Sequence, residues 1–86
     1  TLYEADKAVC AMSRRARFVE NSRFNRQTIM NYEYKDLYDG KVSIRLQEIN
    51  DTQVKVAIKV GKSGDVESSQ EILMAIDEEL HAMSGN

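Results

Sequence analysis

Proline is absent from the 86 residues, and no internal repeat or low-complexity tract takes its place, so nothing marks a linker or a second domain. The single cysteine, Cys10, excludes a disulfide within the chain and leaves the redox compartment open. The single histidine, His81, is equally restrictive. With Glu78 one helical turn before it, it offers two metal ligands where an open zinc site takes three and a closed one four, so no metal is expected. No apolar run reaches the roughly 20 residues that a membrane-spanning helix needs. The chain opens on Thr1 and not on a methionine, from which we expect an upstream segment, cleaved or not included, able to carry a signal peptide or an anchor.

What is present is the composition of a folded domain, 42% hydrophobic and 30% charged. A chain of this length buries only roughly 60 to 65% of its unfolded surface, so the core must be small. Net charge is -2, unevenly spread: residues 1–35 hold seven Lys and Arg against four Asp and Glu, and residues 36–86 hold five against ten.

Leu2, Ala5, Val9, Met12 and Ala16 recur at spacings of three and four, which predicts a helix from about Tyr3 to Arg15 with one apolar stripe. β-Branched and aromatic residues then predict strands near 17–24 and 27–36. Further on the period is two. Val42, Ile44 and Leu46 alternate with Ser43, Arg45 and Gln47, and Val54, Val56, Ile58 and Val60 alternate with Lys55, Ala57 and Lys59. Asp39-Gly40 and Asn50-Asp51 supply turn chemistry around the first of these strands. After Gly64 a second helix is expected to about Met83, with Ser69, Ile72, Leu73, Ile76, Leu80 and Met83 on one face. A one-sided antiparallel sheet and two amphipathic helices satisfy one another only if both helices cover the same sheet face. The expected fold is therefore α+β, a two-layer sandwich of order α-β-β-β-β-α in one domain, with Val56, Ile58, Ile72 and Ile76 buried together. Arg45, Lys55 and Lys59 would then face solvent or a partner.

The stretch AIKVGKSGD, residues 57 to 65, reads strand, Gly-Lys-Ser, helix, the setting of a phosphate-binding loop. That loop needs a first glycine five residues before Gly61, and the position holds Val56 inside the strand. The sheet is also antiparallel, unlike the parallel sheets that usually carry the motif. A strand-to-helix turn accounts for the same residues: Gly61 and Gly64 allow positive φ, and either Asp65 or a Ser68-Glu71 capping box supplies the helix cap.

The same region, VKVAIKVGKSGDVESSQEILMAI, resembles a family of small bacterial lipoprotein-like domains, domain of unknown function 3568, through Val60-Gly61, Gly64-Asp65, Ser69, Ile72 and Ile76. The resemblance is good over about residues 41–80 and poor before that. It implies an exported, often lipid-anchored protein of the periplasm or cell envelope and brings no catalytic residue. Cys10 follows Asp6-Lys7-Ala8-Val9 and not an apolar signal segment, so any anchor would lie upstream.

Catalytic constellations are missing. Cys10 and His81 would need to meet, with a third group to orient them; Asp77, Glu78 and Glu79 fan out at about 100° per residue and do not converge on one atom. We therefore expect no enzyme and no cofactor. The stretch SRRARFVENSRFNR gathers Arg14, Arg15, Arg17, Arg23 and Arg26 around Phe18 and Phe24, both expected in the core. Arg14 and Arg15 suit the negative end of the first helix. As a working surface, the five arginines fit an unidentified protein or an anionic membrane; nucleic acid is the lesser alternative, because the domain is acidic overall. An edge strand offers a route to a homo-oligomer.

Overall fold

The computed structural model describes residues 2–36, 40–61 and 66–84. Six elements follow in the expected order: α1 (Leu2–Arg15), β1 (Val19–Arg26), β2 (Ile29–Lys35), β3 (Lys41–Asn50), β4 (Gln53–Val60) and α2 (Val66–Ser84). The strands form one antiparallel sheet in the order β1-β2-β3-β4, a meander whose edges are β1 and β4. Both helices pack on the same side, α1 over the middle of the sheet and α2 against α1 and β4.

The core sits where α1 meets β2 and β3. Ala5, Ala8, Val9 and Met12 come from the helix, Met30, Tyr32 and Tyr34 from β2, and Val42, Ile44 and Leu46 from β3, all buried. Alternation sets this up, because Tyr32 pairs with Ile44, Tyr34 with Val42 and Met30 with Leu46, so that every buried strand residue points the same way. Tyr32 and Tyr34 stack with ring centroids 6.0 Å apart, and Phe18 leans on Tyr34 at the same distance.

The first strand lies two residues later than expected because of how α1 ends. Phe18 N–H donates to Ser13 O at 2.9 Å and Arg17 N–H to Arg14 O at 3.2 Å, the paired bonds of a Schellman motif. The motif puts its left-handed residue at Arg17, φ 60°, and extended structure starts only beyond Phe18. Similarly β2 begins at Ile29, because Gln27, φ 47°, and Thr28 form the hairpin turn. The β3–β4 turn is an Asx turn, with Thr52 N–H donating to Asn50 Oδ1 at 2.9 Å. At the far end of β4, Gly61 has φ 72°, as its place in the strand-to-helix turn requires. Gly61 N–H donates to Lys41 O at 2.8 Å, extending the ladder by one bond. Of that turn's other candidates, Lys62, Gly64 and Asp65 lie outside the described residues, as does Asp39. Helix α2 starts at Val66, so Ser68 falls inside its first turn and is not the cap.

Three burial expectations need correction. Phe24 is 54% exposed. It pairs with Asn31 on the side of the sheet away from the helices, whereas its neighbour Arg23 pairs with Tyr32 on the helix side. Leu73 is 43% exposed, since the inward stripe of α2 runs through Ile72, Ala75, Ile76 and Leu80 and Leu73 flanks it. Of the expected buried quartet only Ile76 is fully enclosed; Val56 and Ile58 are half-buried because β4 is an edge strand with no neighbour beyond it, and Ile72 of α2, which packs over that edge, is half-buried with them. The register of β4 is as expected: Ile58 pairs with Ile44 facing the helices, while Lys59 is exposed.

Two measurements check this packing. Ile76→Ala should cost about 2 to 5 kcal/mol in denaturant unfolding, and Leu73→Ala far less. Arg17→Gly should raise stability by about 1 kcal/mol, because glycine occupies the left-handed position without the penalty of a Cβ.

Candidate functional site

The five arginines of the N-terminal stretch do not form one surface. Arg14 and Arg15 lie in the last turn of α1, where Arg15 Nε reaches Glu79 Oε2 of α2 at 3.0 Å and ties the helices together. Arg17 occupies the left-handed helix terminus. Arg23 faces the helix side of the sheet and Arg26 the opposite side, since they are three residues apart on one strand.

Arg23 belongs to a compact polar cluster between β1 and α1. Its guanidinium donates to Glu20 Oε1 at 2.8 Å and to Cys10 Sγ at 3.2 Å, lies 3.9 Å from Asp6 Oδ1, and sits over the Tyr32 ring 5.4 Å from the centroid. The hydrogen bond to Glu20 raises the Arg23 pKa further above its already high ordinary value. Tyr32, fully enclosed, donates its hydroxyl to Asp6 Oδ1. Burial first, and that bond second, hold the Tyr32 phenol well above its ordinary pKa of 10.0. Burial also raises the Tyr34 phenol, against a smaller lowering by the nearby Ser13 side chain, and its hydroxyl makes no hydrogen bond of good geometry. Chemically the cluster is a clamp. It fixes β1, which no helix covers, to the first turns of α1.

His81 is exposed and engages its own helix, with Nδ1 2.9 Å from Asp77 O. Among the described residues no three His, Cys, Asp or Glu side chains group closely enough to hold a metal ion.

The uncovered sheet face is where charge collects. Pairing aligns Phe24, Asn31, Arg45 and Ala57 in one row, with Arg26, Ile29, Gln47 and Lys55 on one side of it and Ser22, Glu33, Ser43 and Lys59 on the other. Lys35 and Lys41 pair beyond that. Among the described strand residues six cations (Arg26, Lys35, Lys41, Arg45, Lys55 and Lys59) thus share the face with one carboxylate, Glu33, which lies 3.5 Å from Lys41 Nζ. The other layer has the opposite sign: α2 carries Glu67, Glu71, Asp77, Glu78 and Glu79 and no lysine or arginine. The charge asymmetry runs between the layers as much as between the halves of the chain. Ala57 is the small residue in the middle of the cations. Beside it are a hollow of about 200 Å³ lined by Asn31, Glu33, Ser43, Arg45 and Lys59, and a second of about 150 Å³ lined by Arg45, Gln47 and Lys55. The sequence pointed to Arg45, Lys55 and Lys59 on this face. It did not point to Arg26, Lys35 and Lys41, which become visible only once the hairpin turns fix the parity of β1 and β2.

The model of the family described as "Protein of unknown function (DUF3568)" matches residues 1–79. The chain belongs to this family. The match takes in α1 and the first hairpin, so the DUF3568 domain includes the clamp and the whole sheet face, not only the stretch from β3 to α2. No curated protein matches the chain.

Two substitutions separate the buried tyrosines. Tyr32→Phe should cost about 1.5 to 3 kcal/mol, since it removes a hydrogen bond to a carboxylate. Tyr34→Phe should be neutral or stabilising, because the lost hydroxyl satisfies nothing. Both phenols have raised pKa values in the folded state, so their contribution is complete below about pH 10 and disappears as pH rises above it. Thermal melts from pH 7 to pH 12 should therefore show stability falling above pH 10, and less steeply in Tyr32→Phe.

Proposed function

We propose that the domain is a non-enzymatic module of the bacterial cell envelope, borne by an exported, lipid-anchored protein, and that it works by contact through its uncovered sheet face. Envelope placement rests on the resemblance to lipoprotein-like domains. The contact rests on one observation, the concentration of six cations against one carboxylate on a face that no helix covers. Exposed basic residues contribute about 1 kcal/mol each beside an anionic surface, so Arg45, Lys55 and Lys59 together suffice for weak attachment. A tether raises the effective concentration at that surface, and weak attachment is then enough. The arginines of the N-terminal stretch have a smaller part in this reading. Arg15 and Arg23 are engaged in intramolecular ion pairs, which also takes two members from a nucleic-acid surface built on Arg14–Arg26.

Sedimentation with washed envelope membranes at low salt tests the reading. Wild-type protein should pellet, and the triple variant Arg45→Gln, Lys55→Gln, Lys59→Gln should stay in solution with an unchanged melting temperature. A variant carrying Arg14→Gln and Arg17→Gln should pellet nearly as the wild type does. If the triple variant pellets undiminished, the sheet face is not the contact surface.

A further inference from the structure

Resting on that reading of the sheet face, we propose that its partner is an anionic phospholipid surface and that the hollow at Ala57, one part lined by Arg45 and Lys59 and the other by Arg45 and Lys55, seats one headgroup phosphate. Arg45 is the cross-strand partner of Ala57, and Lys55 and Lys59 flank it two residues away on the same strand. Neighbouring strands are about 4.8 Å apart and alternate residues on a strand about 6.8 Å apart, so the three cationic stems rise around one methyl group within reach of a single phosphate. The hollow exists because the residue there is alanine; a longer side chain would fill it. Asn31 and Ser43 on its far rim add neutral hydrogen-bond donors, and Glu33, the carboxylate on that rim, lies 3.5 Å from Lys41 Nζ, which offsets its charge.

Charge placement selects a planar partner. The cations are spread over all four strands of one face, and the acidic α2 lies in the other layer. A chain of nucleic acid following the molecule around would meet that acidic helix, whereas a surface meets only the sheet. Base stacking also needs aromatic platforms, and the central row offers only Phe24, at its β1 end. At that margin an exposed phenylalanine suits the boundary between headgroups and acyl chains.

Protein-free vesicles provide the test. The wild-type 86-residue chain, which carries no acyl group, should co-sediment at low salt with phosphatidylcholine vesicles containing phosphatidylglycerol, and not with phosphatidylcholine alone. It should detach as salt shortens the Debye length below about 10 Å. The triple glutamine variant should partition about a hundredfold more weakly. Ala57→Gln leaves the charge unchanged and fills the hollow; it should weaken partition about tenfold while retaining its salt dependence. Wild-type partition by Ala57→Gln overturns the phosphate seat. Displacement from vesicles by millimolar inorganic phosphate beyond that by chloride of equal ionic strength assigns the hollow to the free anion and overturns the lipid, as does equal affinity for duplex DNA. Failure to bind vesicles, combined with binding to envelope membranes that the triple variant loses, overturns the lipid inference and leaves the contact face standing.

Discussion

Alternation along β3 is the constraint on which the other parts depend. Val42, Ile44 and Leu46 are buried under the helices while Ser43, Arg45 and Gln47 face outward, and a slip of one residue would bring arginine into the core. Because β3 pairs with β2 on one side and β4 on the other, its parity is imposed on both, and through β2 on β1. The aromatic pair Tyr32 and Tyr34 is therefore directed at α1, and the lysines of β4 are directed away. Both helices pack on one side of the sheet, and among the described residues no element packs on the other. The composition of that uncovered face is what distinguishes one such domain from another.

The parts legible in the sequence are those governed by period alone. Leu2, Ala5, Val9 and Met12 specify α1, and the alternations of β3 and β4 specify both strands and their inward face. Less legible was anything set by tertiary context. Phe24 reads as core by its chemistry, but the bulge between Glu20 and Ser22 and the turn at Gln27 decide the face on which it stands. Leu73 reads as part of the apolar stripe of α2, yet the helix lies toward α1 and leaves it at the margin. Arg17 held no hint of a helix terminus, because the residue that usually takes the left-handed position is glycine.

The site follows the same division. Arg45, Lys55 and Lys59 could be placed on the outer face from local alternation, whereas the arginines of residues 14–26 are neighbours in sequence and are dispersed by the fold to a helix end, a clamp and the opposite sheet face. Proximity along the chain carried no information about proximity in space once a strand, a turn and a helix terminus intervened. Membership of the DUF3568 family extends over nearly the whole chain, from Thr1 to residue 79, and so applies to both the clamp and the basic face.

The clamp has a consequence for the dynamics of the domain. All eight residues of β1 are exposed, and its attachments are the ladder to β2 and the Arg23 contacts to α1. Proteins open in cooperative units, and the unit with least buried apolar surface opens first. By that measure β1 is the unit expected to open first, and its departure would uncover the edge of β2 and the ring of Tyr32. Besides the ladder to β2, the contacts of Arg23 with Cys10 and Asp6 are what oppose the release of this one strand.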